Sequence, residues 1–257
     1  MKCGKHGRSK VESSIGLISM KVVILCGGQG TRLREQTGVM PKPMVEIGGK
    51  PILWHIMKTY SHFGLNEFVL CLGYKGEVIK DYFRQNGDND GWTVSLIETG
   101  EKAMTGARVF RVRDQIGNEP FCLTYGDGLG SIDIRELLEF HKKHGKLVTV
   151  TGVRPPSRFG ELRLDGDQVV AFAEKPQVTE SFINGGFFVM EPEFIERYLS
   201  DDDNLTLERE PLQRAALDGE LMMFAHTGFW QPMDTYREWK MLEEMWDSGT
   251  AEWKMWD

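Results

Sequence analysis

Three glycines in four residues mark the stretch Leu25-Cys26-Gly27-Gly28-Gln29-Gly30-Thr31-Arg32-Leu33. Glycine accepts positive φ and lets a ligand approach main-chain N–H groups closely. A loop of such groups makes an anion-binding concavity. Arg32 adds a permanent charge on a planar fork that suits phosphate oxygens. The stretch reads as a phosphate cradle; the plainer alternative is a glycine-rich turn. It is not a P-loop, because no Gly-Lys-Ser/Thr follows. It is not the dinucleotide fingerprint, because Leu33 stands where the third glycine belongs. Downstream, Pro41 and Pro43 bracket Lys42 and restrict the backbone on both sides of it. A lysine held extended after a phosphate loop is placed to reach a polyphosphate; a solvent lysine in a proline turn is the alternative.

Asp127 lies between Gly126 and Gly128, directly after the apolar run 120–125. Magnesium is usually held by one or two carboxylates plus substrate phosphates. Asp127 is therefore a candidate Mg²⁺ ligand, and Asp234, in 229–235, a candidate second carboxylate. The competing readings are an Asp-Gly turn for the first and a helix N-cap for the second. Glu174, Lys175 and Asn184 are candidates for the hydroxyls and phosphate of a small polar substrate, although each alone also suits an ordinary turn. Thr105, in Met104-Thr105-Gly106-Ala107-Arg108, either opens a turn that offers backbone groups to a base edge or caps a helix. No Ser/His/Asp or Cys/His arrangement suggests a covalent intermediate.

The elements around these residues alternate. The run 22–25 reads as a buried parallel strand feeding the glycine loop. Pro51 opens a helix whose apolar residues, Ile52, Leu53, Ile56, Met57, Tyr60 and Phe63, keep helical spacing until Gly64 stops it. A strand at 68–72, a helix at 76–85, a short polar loop at 84–91 and a strand at 92–98 follow. This rhythm predicts an α/β fold, a Rossmann-like, mostly parallel mixed sheet with helices on both faces. Ligands in open α/β sheets gather at the carboxyl ends of the strands, which places Asp127 on the same rim as the glycine loop. A helix carrying Ile134, Leu137, Leu138 and His141 on one face ends at Gly145, with His141 expected to pack. After a strand at 147–153 the texture changes. Residues 159–172, turning at Asp165-Gly166-Asp167, predict an antiparallel hairpin. A strand at 183–190, a helix at 206–217, a strand at 221–225 and a final helix after Asp234 complete the chain. Asp201-Asp202-Asp203 reads as a solvated loop.

The 257 residues and 40% hydrophobic content suit one large soluble α/β domain over 20–257. It divides into halves, 20–153 and 154–257, where the texture changes. Residues 1–19 carry Lys2, Lys5, Arg8 and Lys10 with no sustained apolar period. They read as a disordered upstream extension before a natural start at Met20, or alternatively as a basic tail with its own partner. A net charge of −7 argues against a broad nucleic-acid surface, and no apolar run reaches membrane-span length. Cys26, Cys71 and Cys122 each sit in an apolar run without a CxxC pair, as free thiols in a cytoplasmic protein do.

The motifs, taken as a series, resemble the sugar-1-phosphate nucleotidylyltransferases. Gly27-Gly28-Gln29-Gly30-Thr31-Arg32-Leu33 is similar to that family's signature loop, and Pro41-Lys42-Pro43-Met44, Gly126-Asp127-Gly128, Glu174-Lys175-Pro176 and Asn184-Gly185-Gly186 follow its later motifs in order. The resemblance spans about 20–257. It implies a nucleotide-diphospho-sugar transferase type of fold with a small antiparallel sugar-binding sub-region. It also implies a nucleoside triphosphate and a sugar 1-phosphate as substrates, CTP with α-D-glucose 1-phosphate first among the pairs, Mg²⁺ as cofactor, and a homo-oligomer. Uridylyl, thymidylyl or guanylyl transfer, and a non-catalytic sugar-nucleotide-binding module, are the alternatives. By residue, the resemblance gives Leu25, Gly27, Gly28, Gln29, Gly30, Thr31, Arg32, Lys42 and Asp127 to the nucleotide, with the loop backbone at Gly28 to Thr31 and Arg32 on the triphosphate. It makes 20–153 the nucleotide-binding half and 154–257 the sugar-phosphate-binding half. It gives Thr105 and Arg108 to the base side, and Gly160, Glu174, Lys175, Asn184 and Gly186 to the sugar phosphate. Arg32, Lys42, Asp127 and Lys175 become the catalytic set, and Asp127 with Asp234 the metal ligands. The short 84–91 segment departs from the pattern, since the members most similar carry a longer insertion there that helps form the nucleotide site and the oligomer.

Overall fold

The computed structural model of the protein describes residues 20–28, 40–86, 90–154, 161–173 and 181–256. An eight-stranded sheet forms the middle layer. From one edge its strands run β13 (Leu221–His226), β8 (Val148–Val153), β12 (Phe188–Met190), β6 (Phe121–Tyr125), β1 (Lys21–Leu25), β4 (Glu67–Leu72) and β5 (Thr93–Glu98). The two-residue β11 (Ile183–Asn184) also pairs with β8. The β1–β4, β1–β6, β4–β5 and β8–β13 pairs are parallel, while β12 runs antiparallel to both β6 and β8. The mostly parallel mixed sheet expected from the alternation is present.

Eight helices are described: α1 (Ile52–His62), α2 (Gly76–Asn86), α3 (Thr105–Arg111), α4 (Arg113–Ile116), α5 (Ile134–His144), α6 (Pro192–Tyr198), α7 (Glu210–Leu217) and α8 (Tyr236–Asp247). Strand periodicity divides them between two cores. Val22 and Ile24 of β1 join one apolar cluster with residues of α1, α2, α5 and α8. Val23 and Leu25 join a second cluster with residues of α3, α4, α6 and α7. Both faces of β1 are buried, which is why its sequence is a continuous apolar run rather than an alternating one. The helix expected over 206–217 begins only at Glu210, because Pro211 suits a first turn and the chain before it is otherwise engaged.

Three two-stranded ribbons complete the fold. β2 (Glu46–Ile47) turns through Gly48 and Gly49 into β3 (Lys50–Pro51). β9 (Glu161–Asp165) and β10 (Gln168–Ala173) form the expected antiparallel hairpin. β7 (Gly128–Gly130) pairs antiparallel with β14 (Trp230–Pro232). Among the described residues, no helix is long and apolar enough to cross a membrane.

Two histidines are buried in helices. His55 of α1 donates from Nε2 to the Ile47 carbonyl at 2.8 Å, and its Nδ1 faces the Trp253 indole N–H at 3.4 Å. His141 of α5 meets the Thr149 hydroxyl at 2.8 Å. Burial lowers both imidazoles to about 4. Each is neutral in the native protein at a pH where the unfolded chain binds a proton. The stability they contribute is complete above about pH 6.5 and is lost as pH falls from there towards 4. Urea unfolding at pH 7.5 and pH 5.0 is expected to differ by roughly 2 kcal/mol per histidine, with the lower stability at pH 5.0.

Candidate active site

Among the described residues, the candidates Gly27, Gly28, Lys42, Asp127 and Asp234 gather at the carboxyl ends of β1 and β6. β1 runs into Cys26, Gly27 and Gly28, and β6 into Gly126 and Asp127. These ends lie side by side because Leu25 pairs with Tyr125 across the parallel register. Gly126 donates its N–H to the Leu25 carbonyl at 3.2 Å. A Cβ at position 126 would stand 3.0 Å from that oxygen and 3.0 Å from the Pro43 ring. The glycine therefore lets the segment carrying Lys42 close onto the strand end.

The β7–β14 ribbon then brings in the C-terminal part of the chain. Gly128 pairs with Pro232, and Met233 donates its N–H to the Asp127 carbonyl at 2.8 Å. Asp234 follows one residue later. It is not the helix cap that its position suggested. Thr235 caps α8, in a capping box with Glu238. The Glu238 carboxylate accepts from the backbone N–H groups of both Asp234 and Thr235, each at 2.8 Å. That contact fixes the backbone of Asp234 and leaves its carboxylate for the site.

Lys42 joins the two aspartates. It opens a 3₁₀ turn, Lys42–Met44, after the extended Pro41. Its Nζ donates to Asp127 Oδ2 at 2.7 Å and to Asp234 Oδ1 at 2.6 Å. Only 7% of Lys42 is exposed. Burial alone would lower its pKa, yet the two carboxylates outweigh that and hold it above the ordinary lysine range. The ammonium is thus fixed as a cation, and two hard oxygen donors converge on one positive point.

Two clefts meet here. The first, of about 240 Å³, is lined by Leu25, Gly27, Gly28, Lys42, Thr105, Arg108 and Asp127 among others. The second, of about 570 Å³, is lined by Asp127, Asn184, Glu208, Trp230 and Asp234 among others. Asp127 and Tyr125 border both. Gly186 has φ 75°, and its N–H donates to Asn184 Oδ1 at 2.9 Å. Gln29, Gly30, Thr31, Arg32, Gly160, Glu174 and Lys175 lie outside the described residues.

Arg108 is 4% exposed and is committed to main-chain oxygens. It donates to the carbonyls of Leu72 at 2.9 Å and Gly27 at 3.0 Å, and to the Thr99 hydroxyl at 2.8 Å. A side chain at Gly27 or Gly73 would overlap its guanidinium. Burial lowers its pKa from the usual guanidinium value. Thr105, expected as a possible cap, is the first residue of α3, with Met104 in the cap position. Its hydroxyl donates to Glu208 at 2.7 Å and accepts from the Leu207 N–H at 2.9 Å.

Sequence reasoning passed over Tyr125 and Glu208. The Tyr125 hydroxyl donates to Glu208 at 2.6 Å and accepts from Asn184 at 3.1 Å. Burial, and then the adjacent Glu208 carboxylate, push the phenol well above its usual range. Tyr125 had a signal, the last strand residue before Gly-Asp, whereas Glu208 stands in no motif. The loop before it, read as solvated, is exposed over 201–204, and Arg111, the last residue of α3, pairs there with Asp201 at 2.6 Å and Asp203 at 2.8 Å. Backbone contacts hold 203–205 against the N-terminal end of α3: the Asp203 carbonyl accepts from the Met104 N–H, and the Leu205 carbonyl from the Gly106 and Ala107 N–H groups.

Residues 21–235 match the nucleotidyl transferase family. The chain belongs to this family. Within the nucleotidyl transferases it is 49% identical over 259 residues to glucose-1-phosphate cytidylyltransferase of Salmonella typhi, covering 93% of this chain and 100% of that protein. It is 44% identical over 256 residues to the probable glucose-1-phosphate cytidylyltransferase of Bacillus subtilis, covering 92% and 100%. Among solved structures it is similar to HddC from Yersinia pseudotuberculosis, with 28% identity, a TM-score of 0.70, and coverage of 88% of this chain and 99% of that one. A UDP-glucose pyrophosphorylase complexed with UDP-glucose, 17% identical with a TM-score of 0.68 and coverage of 90% and 100%, shares the fold. These relatives support the nucleotide-diphospho-sugar transferase type of fold and an enzyme of the nucleotidyltransferase class.

Arg108→Lys removes the fork that serves the Leu72, Gly27 and Glu101 carbonyls and the Thr99 hydroxyl at once. Urea unfolding is expected to lose about 2–3 kcal/mol with an unchanged m-value.

Proposed function

We propose that this chain transfers a cytidylyl group from CTP to α-D-glucose 1-phosphate, giving CDP-glucose and pyrophosphate. The choice of substrates draws on the 49% identity across the full length of the Salmonella typhi cytidylyltransferase. The observation that carries the chemistry is the placing of Lys42, Asp127 and Asp234 where two clefts meet. A reaction between two polyanions needs that layout, with one pocket for each and fixed charge between them.

In this reading a sugar-phosphate oxygen attacks the α-phosphorus in line, and pyrophosphate leaves. The loop backbone at Gly28 to Thr31 and Arg32 hold the triphosphate, with Leu25, Gly27, Thr105 and Arg108 along the nucleotide cleft. Arg32 and Lys42 stabilise charge on the α-phosphate and on the leaving group. Lys175 holds the sugar phosphate and orients its attacking oxygen, and Gly160, Glu174, Asn184 and Gly186 line the sugar side. Asp127 and Asp234 would hold Mg²⁺. Their hard carboxylate oxygens, already gathered on one cation, fit that ion, which takes few protein ligands and completes its shell with phosphate and water. Bound there, Mg²⁺ supplies charge neutralisation to the phosphates. The setting proposed is a cytoplasmic homo-oligomer.

A panel of CTP, UTP, dTTP and GTP with glucose 1-phosphate, read by pyrophosphate release, is expected to give the highest kcat/KM with CTP. A higher value with another triphosphate would reassign the base. Stable binding without pyrophosphate release from any pair would make the chain a binding module.

Asp127→Asn is expected to lower kcat by about 10²-fold or more, and wild-type turnover would remove Asp127 from the mechanism. Lys175→Ala should raise KM for the sugar phosphate more than for the nucleotide. Lys42→Met leaves two partly buried carboxylates without their cation. It should cost about 2 kcal/mol of stability in metal-free buffer, between the values for exposed and buried pairs. Millimolar MgCl₂ should restore more of the melting temperature in Lys42→Met than in the wild type.

A further inference from the structure

The hydrogen bonds around Glu208 have only one consistent direction. The Leu207 N–H is a donor and reaches the Thr105 hydroxyl at 2.9 Å. That hydroxyl has one proton, which goes to Glu208 Oε2 at 2.7 Å. On the other side the Gly186 N–H donates to Asn184 Oδ1 at 2.9 Å, which turns the amide NH₂ of Asn184 towards Tyr125. The Tyr125 oxygen accepts from it at 3.1 Å, so the single phenolic proton goes to Glu208 Oε1 at 2.6 Å. Two backbone donors, one at each end, thus send two hydroxyl protons to the two oxygens of one side chain. Only a carboxylate accepts on both.

The ends of this chain of hydrogen bonds lie in different clefts. Thr105 borders the cleft lined by Gly27 and Gly28, Asn184 and Glu208 border the other, and Tyr125 borders both. We infer that Glu208 is a positioning residue for both substrates. It fixes Thr105 on the nucleotide wall, and Tyr125 with Asn184 on the sugar-phosphate wall, through one shared acceptor. A glutamine there offers an acceptor on one side and a donor on the other. One hydroxyl then keeps its partner, and the other must turn away from its backbone-defined direction.

The inference rests on the proposed reaction, and its test is kept separate from the identity of the base or sugar. KM values are measured with whichever triphosphate and sugar 1-phosphate turn over best. Tyr125→Phe removes the sugar-side donor and is expected to raise KM for the sugar phosphate about three- to ten-fold, with less than a two-fold change for the triphosphate. Thr105→Val is expected to give the reverse. Glu208→Gln, which keeps one acceptor, should raise only one of the two KM values, whereas Glu208→Ala, which removes both, should raise both by about three-fold or more. A folded Glu208→Ala enzyme with either KM unchanged overturns the inference. Should Glu208→Ala not fold, the Tyr125→Phe/Thr105→Val double variant decides. Both KM values rising in it supports the shared role, and neither rising ends it. If no pair turns over, the proposed reaction fails by itself. Calorimetric Kd values for CTP and glucose 1-phosphate then read the same pattern in the same variants.

Discussion

The site depends on a single ammonium group. Lys42 binds Asp127 across 85 positions of sequence and Asp234 across 192. Neither carboxylate could stand so near the other without a cation between them, since like charges at that range repel strongly in a partly dry setting. Each neighbouring element serves the approach. The 3₁₀ turn after Pro41 aims the lysine, the absent side chain at Gly126 lets that turn close on β6, and the β7–β14 ribbon delivers the second aspartate. The contact is therefore an outcome of the whole sheet, not of one loop.

A second cation works in the opposite sense. Arg108 is also buried, but it faces carbonyl oxygens instead of carboxylates. Its fork gathers the chain at the ends of β1 and β4, through the carbonyls of Gly27 and Leu72. The bare backbone at Gly27 and Gly73 gives the guanidinium its room. Glycine in this stretch has two physical uses: open N–H groups towards a ligand, and space beneath for an arginine. The sequence pattern points to the first use and is silent on the second.

The fold was legible where one period dominated. The unbroken apolar run of β1 and the helical spacing of α1 marked a buried strand and an amphipathic helix without ambiguity. Asp127 was legible because strand, glycine and aspartate follow in immediate succession. Asp234 was legible only as one of two roles, because the capping residue is its neighbour Thr235 and both types cap helices. Glu208 left no trace, since its meaning comes from Thr105 and Tyr125, each far away in sequence. The Asp201–Asp203 loop is exposed as read, while its pairing with Arg111 is set by topology. Local chemistry is written in neighbouring residues, whereas pairings set by topology appear only when the strands are in place.

The packing of Trp253 against His55 has a consequence in time. The two rings are 6.1 Å apart at their centroids, and Trp253 is fully buried in the same cluster as β1 and α1. A chain emerging from the ribosome presents α1 long before Trp253 exists. Until then the core around α1 lacks one of its largest members. Contacts of such long range form late and slow the final closure. During synthesis the α1 face of this core therefore lacks the Trp253 ring until residue 253 has been made.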